Sequence, residues 1–526
     1  MTELLNTIGY NGWALHFLLW FPVIGMIAVL VSDEAGAKHI ALSAALLEFV
    51  VSVPLWFGFN AANPQFQFGS VLPWIPEWGI FYRVGIDGIA LVLILLTTFL
   101  MPLTILGSFN YIAKRQKTFY AMMLLLQTGI IGVFSALDLF MFFMFWEIML
   151  VPMYFIIGIW GGERRIYAAI KFFLYTALGS LLMLVGILYL YFRHRELTGV
   201  ASFAYGDLLR LPLTFSEQFW LFLAFGLAFA VKVPIFPFHT WLPDAHVESP
   251  TPGSVVLASV MLKLGAFGFL RYLLPLFPQA ATNPTIVTWV MVLGLAGITY
   301  AALVAAVQPD AKKLIAYTSV SHMGFVVLGI FALTLQGLQG AIIVMLSHGF
   351  STGAMFLLIG MLYERRHTRR IADFGGLGKV APMFAVMFVF TALASIGLPG
   401  TSGFVGEFLA LIGTFQTQPW VALVATTGVI FAAYYMLPMV QKIWFNKLDK
   451  PENEAVTDLT RREIIVLAPF AVFMLLLGVY PKPFLEKTEM AVVQTLEIVE
   501  LKRAAPAGPL GVNIDVGAAA SGAAQP

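Results

Sequence analysis

No cysteine occurs among the 526 residues, and charged side chains make up only 11% of them. The first absence excludes disulfides, thiolate metal sites and cysteine-ligated iron–sulfur clusters from this chain. The second sets it apart from water-soluble proteins, in which about a quarter of residues carry charge. The net charge of +2 carries no signature of nucleic-acid binding, and no nucleotide-binding motif stands on a loop. The N-terminus shows neither a basic leader nor a clear cleavage site, so the first apolar segment reads as a retained span.

Apolar residues fill these gaps. They account for 60% of the chain, and the mean hydropathy is +0.87. Uncharged runs near 20 residues recur from end to end, and each is long enough to cross a hydrocarbon core ~30 Å thick as a helix. The expected fold is an all-α polytopic membrane protein with about 14 spans. They are read at 4–31, 37–58, 86–109, 118–135, 137–159, 168–192, 217–238, 252–274, 285–306, 312–332, 336–362, 381–413, 419–441 and 463–480. The twelfth is too long for one straight helix, and GLPGTSG (Gly397 to Gly403) should break it. The tail from Ala504, rich in Ala, Gly and Pro, reads as disordered.

Loop charge checks the count. Alternate loops, including those at Lys114–Lys117, Arg164–Arg165 and Arg365–Arg370, hold 18 Lys and Arg; the others, with the tail, hold 9. The positive-inside rule then assigns the first set to the cytoplasm and both termini to the outer side. Lys171, Lys232 and Lys263 remain, all inside spans.

An ionisable group at the centre of a span costs ~2.5–3.5 kcal/mol on insertion scales. The candidates that need a reason are Glu147, Lys232, Lys263, His322, His348 and Glu407. Each has a plainer reading. Glu147 and Lys232 could be a structural ion pair, Lys263 could snorkel to an interface, and the histidines could be hydrogen-bonded packing residues. Glu407 could solvate the glycine-rich break. Lys171, near a span start, reads as interfacial or as a helper. Glu48 sits mid-span without an evident role, and Asp87 and Asp138 read as helix caps.

Spacing favours function. Glu147 and His322 are 175 residues apart, and so are Lys232 and Glu407. Lys232 stands beside Pro234 and Pro237, and Glu407 follows Pro399 and three glycines. Interrupted spans at matching positions of two halves point to an inverted-repeat transporter with its site at mid-membrane. Broken backbone is tolerated there only where protein or water satisfies it. Spans 4–8 and 9–13 form the two repeats on this reading. The corresponding segments are 1–110 (spans 1–3), 111–280, 281–445, 446–503 (span 14 and a C-terminal segment) and the tail 504–526. Lysine, histidine and carboxylate side chains together suit proton exchange, since burial and neighbouring charges shift such groups toward neutrality.

Seven motifs carry a resemblance. They are GIDGIALVLILLTTF, FWEIMLVPMYF, AAIKFFLYTALGS, the long FAVKVPIFPFHTWLPDAHVESPTPGSVVLA (Phe229 to Ala258), KKLIAYTSVSHMG, LSHGFSTGAMF and GLPGTSGFVGEF. Together they resemble the antiporter-like membrane subunits of respiratory complex I (NADH–quinone oxidoreductase) and of multisubunit cation/proton antiporters. Lysine at 232 with glutamate at 407 resembles the M-type branch, the counterpart of mitochondrial chain 4. The resemblance implies a proton-translocating subunit in which Glu147 tunes Lys232, and Lys263 relays protons toward the second half. His322 and His348 would continue the axis, and Glu407 would be the terminal donor. His239 matches a family position in the loop after the seventh span. The resemblance also implies no cofactor in this chain: NADH, FMN, iron–sulfur clusters and quinone would belong to partner subunits, with L- and N-type chains as membrane neighbours. The alternative is a subunit of a sodium/proton antiporter without a redox partner.

Overall fold

The computed structural model describes residue 5 and residues 7–504; the tail read as disordered lies, from 505 on, outside them. In chain order the principal elements are α1 (Tyr10–Val31), α2 (Glu34–Gly58), β1 (Gln67–Ile75), β2 (Ile80–Ile86), α3 (Gly88–Gly107), α4 (Gln116–Ser135), α5 (Leu139–Trp160) and α6 (Arg165–Thr198). The interrupted pair α7 (Phe215–Lys232) and α8 (Trp241–Glu248) comes next, then α9 (Thr251–Leu276), α10 (Pro284–Ala306), α11 (Ala311–Phe331) and α12 (Leu335–Arg366). A second interrupted pair is α13 (Pro382–Ser395) and α14 (Ser402–Thr417), and the chain ends in α15 (Pro419–Phe445), α16 (Arg461–Val479) and α17 (Lys482–Ala504).

Thirteen described helices are long and apolar enough to cross a membrane. The pair α13–α14 supplies a fourteenth crossing in two pieces. Acidic and hydroxyl caps start many of these helices: Asp33, Asp138 and Asp310 accept hydrogen bonds from first-turn amides. Asp87 caps α3 at Ala90, as the sequence implies, and also pairs with Arg271 at 2.5 Å. Thr460 and Glu463 close a reciprocal capping box on α16, which satisfies two amides that the first turn leaves without partners.

The packing has a centre. Helix α9 is wholly buried, as are the central stretch of α12 and nearly all of that of α11, whereas α1, α2, α6, α10, α15 and α16 turn much of their surface outward. A lipid-facing helix keeps apolar residues outside, so polar groups concentrate on the central three.

Two elements escaped the sequence. An antiparallel hairpin, with Val71 opposite Arg83 and Leu72 opposite Tyr82, stands between α2 and α3. It is short, and Pro73 interrupts its alternation. Helix α17 comes after the last span and is too charged to qualify as one; it lies across α3, with Lys487 packed on Gly88. The seventh span, read as running to 238, stops at Lys232, and the sixth runs on to Thr198.

Candidate functional site

Helix α7 ends at Lys232 because Pro234 and Pro237 come just after it, and a proline cannot donate the amide that a continuing helix needs. The indole of Trp241, opening α8, donates to the Val231 carbonyl at 2.9 Å and ties the two pieces together. Lys232 is buried, and its Nζ has no hydrogen-bond partner among the described residues. It lies over the rings of Trp146 and Phe172, at 5.3 and 5.7 Å. Glu147 adjoins Trp146 in the chain, and the groups acting on its carboxyl are the Ser180 hydroxyl and Lys232. The two charges share one aromatic-walled pocket without touching.

Lys263 lies on the adjoining helix, α9. Gly265 lets the two helices close: a β-carbon there would lie 3.0 Å from Cβ of Lys232. Helix α9 contains two π-helical turns, Leu257–Met261 and Phe269–Leu273. Such turns loosen the backbone hydrogen-bond ladder and recur at functional sites. The Lys263 ammonium uses the looseness, donating to the Ala258 carbonyl at 2.5 Å, and it lies 2.7 Å from Nδ1 of His348 on α12.

From His348 the chain of groups continues. Its ring centroid is 5.7 Å from that of His322 on α11. His322 Nδ1 is 2.9 Å from Glu407 Oε1 on α14, and its Nε2 is 3.4 Å from Ser395 Oγ at the end of α13. The second break backs this carboxylate. Gly397 has φ +79°, and a β-carbon there would lie 3.1 Å from Glu407 Oε2. Lys263, His348, His322 and Glu407 thus form one contiguous buried series, while Lys232 and Glu147 form a second group beside it.

His239 does not join either group. It is buried in the break between α7 and α8, stacked on Phe236 at 5.6 Å, and Nδ1 has no partner among the described residues. Lys171, read from the sequence as interfacial or as a helper, pairs with Asp244 of α8 at 2.7 Å, both side chains half-buried. Two buried groups were missed. His246 on α8 is stacked on Phe356 at 4.6 Å, with both ring nitrogens unpartnered among the described residues. Lys312, counted with the loops, is buried in the first turn of α11 and donates to the Ser249 carbonyl at 2.5 Å. The signal was present in the run Phe229 to Ala258, but the residues after the prolines read as a loop. Nothing local shows that they fold back as a half-helix.

A family model described as "NADH:quinone oxidoreductase/Mrp antiporter, TM" matches residues 136–432, which hold every group just described. The chain belongs to this family. A second model, "NADH-ubiquinone oxidoreductase chain 4, amino terminus", matches residues 18–133 and narrows membership to the subunit M and chain 4 branch. The family's NADH-quinone oxidoreductase subunit M from Rhodobacter capsulatus is 50% identical over 455 residues, covering 85% of this chain and 88% of the relative. A family fold appears in respiratory complex I from Thermus thermophilus with bound NADH. One chain of it matches with a TM-score of 0.84 at 32% identity, over 92% of this chain and 99% of that one. A chain of the Mrp complex from Dietzia sp. matches with a TM-score of 0.78 at 19% identity, over 95% and 99%; at that identity the likeness is one of fold.

Proposed function

We propose that the chain is a proton-translocating membrane-arm subunit of NADH:quinone oxidoreductase. The carrying observation is the buried series Lys263, His348, His322 and Glu407, which crosses from the first half of the chain to the second with neighbours 2.7 and 2.9 Å apart at its two ends. A proton leaves Lys263 Nζ for His348 Nδ1, and a bridging water carries it across the imidazole gap. His322 hands it to Glu407, the terminal donor, and a second carboxyl–lysine pair, Glu147 and Lys232, loads the series. Charge at one member changes the proton affinity of the next, so the groups titrate as a set.

NADH, FMN, iron–sulfur clusters and quinone belong to partner subunits on this reading, and L- and N-type chains flank this one in the membrane. The translocase step is this chain's share of the enzyme. Lys–Arg asymmetry of 18 to 9 between the two sets of loops supports both termini on the outer side. The matching breaks at α7–α8 and α13–α14 support two inverted repeats.

The test uses inverted membrane vesicles that oxidise NADH. Glu407→Gln and Lys232→Ala complexes that assemble, as judged on native gels, should pump far less per NADH oxidised than the parent. Parental pumping by both assembled variants overturns the relay. The second reading, an antiporter without a redox partner, has the shared fold of the Mrp complex in its favour. It requires the chain to purify without flavin or iron–sulfur subunits.

A further inference from the structure

The three helices before the first repeat hold a carboxyl that the relay does not use. Glu48 lies midway along α2, 0% exposed, and neither of its oxygens has a partner among the described residues. An ionised carboxylate so placed costs several kcal/mol unless something compensates it.

The contacts between helices define its surroundings. Helices α2 and α4 run in the same direction: the Lys117 amide donates to Glu34 Oε2 at 3.3 Å near their starts. Further along, Ala44 and Leu124 meet at Gly25 of α1. One turn beyond that point, Glu48 comes level with Gln127 and Thr128 of α4. Both side chains are buried, and Gln127 Oε1, Gln127 Nε2 and Thr128 Oγ1 are also unpartnered among the described residues. Helix α3 runs the other way. Ser52 Oγ is 2.7 Å from Thr98 Oγ1, so Pro102, one turn later in α3, comes level with Glu48. In α1 the Gly25–Ala44 contact brings Pro22 to the same level. Each proline withholds an amide from the carbonyl four residues back, which leaves the Thr98 and Leu18 carbonyls without that helix partner near this level of the bundle.

We propose that Glu48, with Gln127 and Thr128, is a proton-binding site separate from the axis that ends at Glu407. Acceptors outnumber donors at this level of the bundle, and a carboxyl that carries a proton supplies the missing donor. Gln127 suits both states, since its amide nitrogen donates to a carboxylate and its oxygen accepts from an acid. A metal ion would use only the oxygen. Among the described residues of these helices no other charge competes: α3 has no titratable side chain, and Lys117 and Tyr120 lie in the first turns of α4. Tyr10 and His16 of α1 are engaged with the Val51 carbonyl and the Tyr82 hydroxyl, and Glu34, Lys38 and His39 lie at the start of α2. The site is one helix from the axis. On another side of α4, Gly129 and Gly132 seat Met149 and Phe145, which flank Glu147. A groove of about 370 Å³ lies between α1 and α2, lined by Phe21, Ile24, Gly25, His39, Ala44 and Leu47, the last next to Glu48 in the chain.

The experiment treats membranes containing the complete assembly with dicyclohexylcarbodiimide and maps the adducts by peptide mass spectrometry. A protonated carboxyl adds across one N=C bond: its proton goes to nitrogen and its oxygen to the central carbon, and the product rearranges to a stable N-acylurea. An adduct on Glu48 is expected, undiminished by excess sodium and equally present in Glu147→Gln, which removes the carboxyl beside Lys232. Infrared difference spectra provide a second measurement that does not depend on reagent access. They should contain a carboxylic C=O band that disappears in Glu48→Gln. Protection by sodium identifies a metal site and overturns the proposal. So does the absence of both the adduct and the band. Loss of pumping in Glu407→Gln with the Glu48 adduct intact separates this site from the relay.

Discussion

His322 Nδ1 and Glu407 Oε1 are closed into a 2.9 Å contact, whereas Lys232 Nζ and Glu147 Oε1, at the positions 175 residues earlier, have no hydrogen-bond partner among the described residues. The two pairs therefore stand in different arrangements, one in contact and one apart. Lys263 is in contact with His348 at 2.7 Å. An ion-pair switch works through such an alternation, since a carboxylate that approaches a lysine holds its proton and one that departs releases it.

The Lys263–His348 contact predicts coupling. In assembled complexes, Lys263→Met and His348→Leu should each lower pumping, and the double variant should lose less than the sum of the two. Expressed as free energy, the coupling should be about 0.5–3 kcal/mol, as for side chains in direct contact. Initial rates of vesicle acidification, normalised to NADH oxidation, measure it; strict additivity would show that the two act separately.

Gly397 predicts a backbone effect on the Glu407 end of the series. Its φ of +79° and the 3.1 Å approach of Glu407 leave no comfortable place for a β-carbon. Gly397→Ala should cost about 1–2 kcal/mol in strain and shift Glu407 off His322. The readout is a pumping deficit with the complex still assembled, together with a lowered thermal midpoint.

Arg365 holds the end of α12 to α16 through a two-pronged contact with Glu463, at 2.7 and 2.8 Å, and also donates to the Thr457 and Asp458 carbonyls. The pair is largely buried. Removing one partner leaves the other without compensation, a loss of about 3–5 kcal/mol for buried pairs. Arg365→Ala should lower the unfolding temperature of the detergent-solubilised complex more than Arg461→Ala, at an exposed position in the first turn of α16.

Lys502 predicts a pH effect outside the spans. Burial beneath the end of α9 pushes its ammonium down from 10.5 to about 8, and it reaches only the Pro275 and Leu276 carbonyls at 3.4 and 3.5 Å. Between about 8 and 10.5 the undocked lysine binds a proton that the docked one has shed. Docking of α17 should therefore strengthen as pH rises through that window and stay constant below it, by about 3 kcal/mol in all. Lys502→Met should raise the thermal midpoint near neutral pH and flatten this dependence. Thermal scans of the purified complex across the window compare the two.

The membrane spans, the two breaks and the six ionisable positions within the spans stand out in the sequence for one physical reason. A membrane interior penalises every uncompensated charge and every unsatisfied backbone group, so Lys232 beside Pro234, or Glu407 after GLPG, stands out without any coordinates. Pairing was not legible. Lys263 and His348 are 85 residues apart, as are His322 and Glu407, and only the packing of α9, α11, α12 and α14 decides which of these meet. The same holds for His246 and Lys312, which look like loop residues until α8 folds back into the bundle. Glu48 shows both sides: its sequence marks it as an unexplained charge, and the tertiary structure supplies the reason it matters. Gln127, Thr128 and the prolines of α1 and α3 come level with it only when four successive helices pack side by side.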